Sequence, residues 1–180
     1  MTETHVPEKL KAPVLGAVIT VSDRCSRGEA EDRSGPLALA RLAEFGVEVA
    51  HPVVVPDDID YIRSALQEAL DAGARVIVTT GGTGITPRDN TPEATEPFIA
   101  LSLDGLAQQI RLAGLAATPL ATLSRGLVGV SARGDRGALI VNAPGSTGGV
   151  EDALAIIGPL IGHILGQLSG RTHEVESADE

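Results

Sequence analysis

One stretch of this chain decides its fold, and it reads Arg75-Val76-Ile77-Val78-Thr79-Thr80-Gly81-Gly82-Thr83-Gly84-Ile85-Thr86-Pro87-Arg88-Asp89. Its first part is apolar and β-branched, which predicts a strand buried on both faces. The strand ends at three glycines, where a backbone without Cβ atoms can turn sharply and approach a ligand. Ligands of open α/β sheets bind outside the carboxyl ends of the strands. We therefore expect the active site at this loop.

The composition favours the same fold class. Of the 180 residues 43% are apolar but only 2% are aromatic, so the core must consist of Ala, Val, Leu and Ile. Such a core favours helices layered on a parallel sheet over a β-sandwich. The formal net charge of −10 repels nucleic acid and anionic membranes, so neither is an expected partner.

The expected compartment is the cytoplasm. Cys25 is the only cysteine, so no intramolecular disulfide can form, which fits a reducing environment. The first eight residues show neither the basic nor the apolar region of an export signal. The most apolar run, residues 153–168, is interrupted by Gly158-Pro159 and Gly162. We expect it to form a core helix and not a membrane span.

Strand and helix patterns alternate along residues 13–169, which we predict to be one domain. Strands are predicted at 14–21, 47–55, 75–80 and 138–143, a short strand or hairpin arm within 123–130, and helices at about 34–45, 59–72, 91–94, 105–117 and 147–168. This order predicts a three-layer α/β/α domain with a mostly parallel central sheet. The polar residues 1–12 and 170–180 are expected to be a disordered leader and an acidic disordered tail.

Two local signals refine this prediction. Pro52 lies within the second strand, and because proline donates no ladder hydrogen bond, that strand should be at an edge or broken. Thr91-Pro92 is expected to start a helix with Thr91 as the N-cap and Pro92 at the first helical position.

The loops that follow the strands should meet at one edge of the sheet, because parallel strands need right-handed crossovers. These loops are residues 22–28, 56–58, 81–89 and 142–147. Two are rich in glycine and hydroxyls, and the last leads into a helix, whose first N–H groups bind anions. The 81–89 loop lacks the third glycine of a dinucleotide-binding motif, and the chain has no P-loop. A different kind of phosphate site is indicated.

Asp57 and Asp89 each follow the end of a predicted strand and could face one pocket. Two carboxylates beside bound phosphates would repel them unless a cation lies between. Mg²⁺ is commonly held by one or two carboxylates and substrate phosphates. The pair therefore suggests a magnesium–nucleotide site in which positioning and charge neutralisation drive phosphoryl-type chemistry.

These residues together resemble the molybdopterin adenylyltransferases and their close relatives in molybdenum cofactor biosynthesis. The matching segments, in the order of that family, are Ser22-Asp23-Arg24 with Gly28 and Asp32, Pro56-Asp57, Thr80 to Gly84 with Asp89, Thr91-Pro92-Glu93-Ala94, Leu123-Ser124-Arg125 and Asn142-Ala143-Pro144-Gly145-Ser146. The resemblance extends from about residue 14 to residue 168, and it implies the fold of that family.

The implied activity is the transfer of AMP from Mg-ATP to the terminal phosphate of molybdopterin, with release of pyrophosphate. The resemblance makes Asp57 and Asp89 the catalytic pair and the Mg²⁺ ligands, with ATP as co-substrate. It implies a homotrimer and, as further partners, other cofactor biosynthesis proteins. The residues implied to bind substrates are Ser22, Asp23, Arg24, Thr80, Gly81, Gly82, Thr83, Gly84, Ser124, Asn142, Pro144, Gly145 and Ser146. No protein-held zinc is expected, since the histidines lack ligand spacing, and no haem or flavin is expected.

Two departures from that family keep a rival function open. Many relatives have Gly-Phe-Gly-Glu where this chain has Gly105-Leu106-Ala107-Gln108, so an amide replaces a carboxylate. After Pro-Gly-Ser they often carry Pro-Lys, whereas this chain has Thr147-Gly148-Gly149. The rival is a catalytically weak paralogue that binds molybdopterin and passes it on.

Simpler roles are also available for several of these residues. Asp57 could cap the following helix, although Asp58 competes for that position. Asp23 could tie down its own loop, and Ser124 could support packing. Arg24, Arg27 and Arg125 are by default solvated charges, and Cys25 is expected to be inert.

Overall fold

The predicted organising strand lies in the middle of a seven-stranded sheet in the computed structural model, which describes residues 10–170. The elements are β1 Val14–Val21, α1 Asp23–Ser26, α2 Ser34–Glu44, β2 Val47–Glu48, β3 Val53–Val55, α3 Ile59–Asp71, β4 Val76–Thr80, α4 Thr91–Thr95, β5 Leu101–Ser102, α5 Asp104–Gly114, β6 Val128–Val130, β7 Leu139–Ala143, α6 Thr147–Ile157 and α7 Ile161–Leu168. Short 3₁₀ helices occupy Glu96–Phe98, Pro119–Leu123 and Gly158–Leu160.

The sheet is mixed but mostly parallel. Its order is β2-β1-β4-β7-β6-β5, and β3 pairs with β1. Strands β1, β4 and β7 are parallel neighbours, whereas β6 runs antiparallel to both β7 and β5. Strands β2 and β3 both pair with β1 and flank Pro52, so they form one broken edge strand, as the proline predicted.

Helices cover both faces of the sheet, which confirms the predicted three-layer α/β/α class. Alternation along β4 sends Val76 and Val78 to the face covered by α2, α5, α6 and α7, and Ile77 to the face covered by α3. All five residues of β4 are buried. The strand that carries the glycine loop is therefore fixed on every side, and its carboxyl end is a rigid platform.

The structure corrects several sequence-based boundaries. Thr91 is not the N-cap of α4 but its first residue, and Asn90 precedes it without a side-chain capping bond. The predicted 22–28 loop contains the four-residue helix α1, and α5 ends at Gly114 instead of Ala117. Edge strand β5 was not predicted at all, since two residues are too short to give a pattern.

The apolar run near the carboxyl end packs in the core. The stretch Thr147–Leu168 is long and apolar enough by composition to cross a membrane. Its inward residues are fully buried against the sheet, among them Leu154, Ile157 and Ile161. This packing agrees with the predicted core helix.

The predicted leader and tail lie mostly outside the described residues, so their expected disorder stays a prediction. Leu10, inside the predicted leader, does pack against the core cluster. At least one residue of the predicted leader is therefore part of the packed domain.

Candidate active site

The glycine loop after β4 has the backbone shape that its sequence predicted. Gly81 and Gly82 have φ angles of +95° and +63°, which side-chain-bearing residues rarely adopt. A Cβ atom on Gly81 would collide with the carbonyl oxygen of Val21 in the adjacent strand. Thr91, at the start of α4, anchors the loop, because its hydroxyl donates to Gly81 O at 2.8 Å and its N–H to Gly82 O at 3.1 Å. The carbonyl oxygens of Gly81 and Gly82 therefore point toward Thr91.

The same arrangement leaves N–H groups of this loop unpaired. The N–H groups of Gly82, Thr83 and Gly84 donate no hydrogen bond to any residue in the described range 10–170. Successive unpaired N–H groups at the end of a buried strand form a concave anion site. The loop can thus hold a phosphate without a cationic side chain.

The Pro-Gly-Ser loop after β7 lies against the glycine loop. A Cβ atom on Gly145 would be 3.1 Å from Gly81 Cα. Ser146 caps α6 by accepting from Gly149 N–H at 3.1 Å. The N–H groups of Ser146, Thr147 and Gly148 have no acceptor among the residues that the structure describes. A second set of anion-binding donors therefore faces the first.

Asp57 and Asp89 approach the glycine loop from two sides. A Cβ atom on Gly82 would be 3.2 Å from Asp57 Oδ1, and one on Gly84 would be 2.8 Å from Asp89 Oδ2. Asp58, not Asp57, caps α3, since its Oδ1 accepts from Asp60 N–H at 3.0 Å. The Asp57 side chain is therefore not used to cap this helix and is available to the site.

Each aspartate keeps one oxygen available. Asp57 Oδ2 accepts from Asp23 N–H at 2.7 Å, and Asp89 Oδ2 accepts from Thr86 N–H at 2.8 Å. The Oδ1 atoms of both residues accept no hydrogen bond from a residue in the described part of the chain. Burial raises the pKa of Asp57 above its ordinary value, and the negative charges of Asp23 and Asp89 raise it further.

Asp23 and Arg88 close the site on the solvent side. Asp23 Oδ1 accepts from Asp57 N–H at 3.1 Å, so the two aspartates exchange backbone bonds across 34 residues. The Arg88 guanidinium binds both oxygens of Asp23 at 2.8–3.0 Å. This contact lowers the pKa of Asp23, and the positive charge of Arg88 partly offsets the rise in the pKa of Asp57. Arg88 thus keeps the acidic cluster together.

A cavity of about 430 Å³ opens beside the two loops, between α5 and α6. The predicted site residues in its lining are Thr83, Gly84, Ser124, Pro144 and Ser146. The rest of the lining is mainly apolar and includes Ile110, Leu120 and Leu123, with Asp152 as one of its few charges. A cavity of this kind suits a flat heterocycle whose phosphate reaches the loops.

Some predicted substrate-binding residues lie beneath the site. Asn142 is 2% exposed, and its amide donates to the hydroxyls of Thr79 and Thr95 at 2.9 and 3.0 Å. The hydroxyl of Thr80 is buried against Ser34 at 2.9 Å. Ser22 caps α1, and Arg24 is exposed. Asn142 and Thr80 therefore support the loops from inside, while Gly81 to Gly84 and the Pro-Gly-Ser loop form the surface.

Arg125 makes contacts that its sequence position did not predict. Arg125, expected to be a solvated charge, hydrogen-bonds to the backbone of the glycine loop at Gly84 and Asp89. These partners are 41 and 36 residues away in sequence, so no local spacing could have indicated the contact. Its position in the Leu-Ser-Arg segment was the available signal.

Residues 17–163 match the family described as "Probable molybdopterin binding domain". This chain belongs to that family. It is 40% identical over 164 residues to a molybdopterin adenylyltransferase of Pyrococcus furiosus, covering 91% of this chain and 95% of that one. It also resembles the structure of the tungsten cofactor synthesizing protein MoaB from the same organism, with a TM-score of 0.81 and 37% identity over 87% of this chain and 98% of the other.

Another relative is longer than this chain. The molybdenum cofactor biosynthesis bifunctional protein of Synechococcus elongatus is 38% identical over 93% of this chain, which spans about half (51%) of its length. The comparisons establish the family, its fold and a role in molybdenum cofactor biosynthesis. The Pyrococcus relative has the predicted enzyme class, a nucleotidyltransferase.

The two departures from the family pattern lie at different distances from the site. Gln108 is exposed on α5 and does not line the 430 Å³ cavity. Gly148 and Gly149 do line it, at the first turn of α6. Gln108 is thus away from the cavity lining, whereas Gly148 and Gly149 form part of one cavity wall.

Proposed function

We propose that this chain transfers AMP from ATP to the terminal phosphate of molybdopterin. An oxygen of the pterin phosphate attacks the α-phosphorus of ATP, the bond to the β-phosphate bridging oxygen breaks, and pyrophosphate leaves. The observation that carries this proposal is the convergence of Asp57 and Asp89 on a loop with unpaired N–H groups. Carboxylates beside a phosphate site are unfavourable unless they serve a cation-dependent reaction.

The two loops supply the binding of charge. Unpaired N–H groups of the glycine loop and of the α6 start are donors for phosphate oxygens. They are preorganised by Thr91 and by the Ser146 cap, so they need little rearrangement when charge develops on the phosphates. Most of the catalysis would come from this positioning.

The aspartates fit Mg²⁺ that arrives with ATP. Each has an oxygen without a hydrogen-bond donor in the described chain, and carboxylate oxygens are the ligands that Mg²⁺ prefers. Residues 10–170 contain no group of three or more acidic, histidine or cysteine side chains arranged to hold a metal, so phosphates would supply further ligands. When bound, the ion would neutralise charge at the reacting phosphates. Asp23 and Arg88 fix the direction of Asp57.

The 430 Å³ cavity is proposed to receive a heterocycle of one substrate. Its apolar walls remove ring surface from water, and the adjoining loops hold the phosphate end. We expect the enzyme to act in the cytoplasm as a homotrimer, together with other proteins of cofactor biosynthesis. The alternative is a catalytically weak paralogue that binds molybdopterin and passes it on, and the assay below separates it from the enzyme.

One assay tests the proposal. Purified protein is mixed with α-labelled ATP, Mg²⁺ and molybdopterin, and the products are separated. We expect labelled adenylylated pterin and one pyrophosphate for each. Tight pterin binding without either product would establish the binding paralogue instead.

A further inference from the structure

Arg125 connects the two ends of the loop that carries Asp89. Its Nε donates to Gly84 O at 2.7 Å, and its Nη2 donates to Asp89 O at 2.7 Å. Its own backbone N–H donates to Thr83 O at 2.8 Å. One residue thus holds the glycine loop at three carbonyl oxygens.

The remaining nitrogen of this guanidinium is fixed by α4. Arg125 Nη1 pairs with Glu93, which lies in the first turn of that helix. The contact lowers the pKa of Glu93, so the pair stays charged at neutral pH. Both side chains are partly exposed, at 37% and 47%, and such a pair contributes little stability by itself. Its effect is to orient the planar fork of Arg125.

Asp89 has few other anchors. Its other hydrogen bonds, from its own N–H to Thr86 O and from Thr86 N–H to its Oδ2, stay within the loop. Among the described residues, Arg125 is therefore the only group outside the 81–89 loop that hydrogen-bonds to Asp89. The segment that precedes this carboxylate is a surface turn of four exposed residues, 85–88, in which Arg88 pairs with Asp23 but makes no hydrogen bond to Asp89.

We propose that Arg125 is a positioning residue for adenylyl transfer, which fixes the carboxylate of Asp89 relative to the unpaired N–H groups of Thr83 and Gly84. The proposal rests on the proposed function. Arg125 itself contacts no reacting atom, since its guanidinium is directed at protein oxygens. A lysine cannot replace it, because one ammonium cannot bind carbonyls at both ends of the loop and a carboxylate in one plane.

The expected kinetic effect is specific. A catalytic group displaced by about 1 Å can cost on the order of 10²-fold in rate. Arg125→Lys and Arg125→Ala should lower the single-turnover rate by about that factor. The dissociation constant for molybdopterin should change less than about threefold, because the α6 donors and the cavity wall remain. Glu93→Gln should cause a smaller loss, since the fork keeps both carbonyl contacts.

The experiment measures single-turnover rate, molybdopterin affinity and melting temperature for these variants. Arg136→Ala is the matched control, because Arg136 is exposed in the loop before β7, at the opposite end of that strand from the site. Ethylguanidinium should restore part of the rate of Arg125→Ala and none of that of Asp89→Asn. A rate loss that follows the fall in melting temperature, or a normal rate in Arg125→Lys, would overturn the proposal.

A second readout separates this inference from the proposed function. Hydrogen exchange of peptides that cover residues 84–89 should become faster in Arg125→Ala, while exchange in β4 is unchanged. Unaltered hydrogen exchange in residues 84–89 would contradict the proposed role of Arg125 in holding this loop, even if the wild-type protein is active. If wild-type protein transfers no AMP, the proposed function fails, and the positioning role of Arg125 in adenylyl transfer fails with it. Faster hydrogen exchange in Arg125→Ala would then show only that Arg125 holds the loop.

Discussion

Asp57 is the residue at which burial and function oppose each other. Its carboxyl is partly removed from water and has Asp23 and Asp89 as negative neighbours, so its pKa lies above the ordinary 3.8. The folded protein therefore holds this proton to higher pH than the unfolded chain does. The stability that this proton contributes is present below pH 3.8 and is lost as pH rises through the folded pKa. At neutral pH the ionised carboxylate therefore stabilises the fold less than the protonated carboxyl would.

The first prediction follows from the raised pKa of Asp57. Asp57→Asn should raise the melting temperature at pH 7, because it removes a desolvated charge and keeps an oxygen that can accept from Asp23 N–H. The same change should lower the adenylyl-transfer rate by about 10²–10³-fold, the usual loss for one electrostatic group. Asp89→Asn should lower the rate alike. Calorimetry and single-turnover kinetics on the same samples measure both effects.

The double variant provides the internal check. Since both carboxylates are proposed to act on one ion, the combined loss should be smaller than the product of the single losses. Reduced stability with normal rates would show that the aspartates only support their loops.

The second prediction concerns the acid limb of the rate profile. If ionised Asp57 is needed, the rate of single turnover should fall as pH drops through its raised pKa. Arg88 lowers that pKa through its positive charge and through its neutralisation of Asp23. Arg88→Ala should therefore move the acid limb to higher pH. The control Arg136→Ala should leave the limb in place, and an unmoved limb in Arg88→Ala would mean that Asp57 does not set it.

Sequence reasoning succeeded at residues whose neighbours in the chain determine their role. Gly81 and Gly82 were predicted from the turn they must make, and Asp58 as the competing helix cap from its position before Ile59. The contacts of Arg125 and Asn142 were not predicted, because their partners come from other elements. Their roles depend on tertiary distance, which no spacing encodes.

At the scale of elements, the contact between two loops organises the site. The glycine loop follows β4 and the Pro-Gly-Ser loop follows β7, and these strands are parallel neighbours. Gly81 N–H donates to Ala143 O at 3.1 Å, which extends the ladder to the start of both loops. The sheet register therefore sets the separation between the two sets of phosphate donors.

The third prediction tests that separation. Gly145→Val should raise the dissociation constant for molybdopterin or ATP by roughly tenfold or more, because a side chain there crowds Gly81 Cα at 3.1 Å. A loss of about 1.4 kcal/mol in binding free energy corresponds to a tenfold rise in the dissociation constant. Gly145→Ala should give an intermediate effect. Gly105→Ala is the control, since a Cβ atom on Gly105 meets nothing within 4 Å. Unchanged affinity for both substrates in folded Gly145→Val would place the phosphates elsewhere.

Element boundaries were predictable where a residue type forces them. Pro52 broke the edge strand as expected, because it has no N–H for the ladder. Thr91 was assigned to the wrong position because capping preference was read from residue type alone, whereas its hydroxyl is used by Gly81 O. The two-residue strand β5 exists through pairing with β6, and pairing is not visible in its own sequence.

At the scale of the whole molecule, the two faces of the sheet carry different surfaces. On the face covered by α3, the large exposed side chain of that helix is Tyr61. On the other face, α5 and the segment that follows it expose Leu112, Leu115, Leu120 and Leu123 within twelve residues. Several neighbouring exposed leucines commonly mark an interface. The expected homotrimer would use this face.

The fourth prediction is that the protein forms a trimer of 18.4 kDa chains, which light scattering at micromolar concentration measures. Leu112→Ser combined with Leu115→Ser should shift the mass toward the monomer, because polar side chains replace apolar contact at the interface. These two leucines do not line the 430 Å³ cavity, so their substitution leaves the cavity lining unchanged. Pterin binding to the separated chains would then show that the site is complete in one chain. Tyr61→Ser, on the opposite face, is the control and should remain trimeric. A monomer mass for wild-type protein contradicts the prediction outright. A trimer that survives the double leucine change places the interface elsewhere.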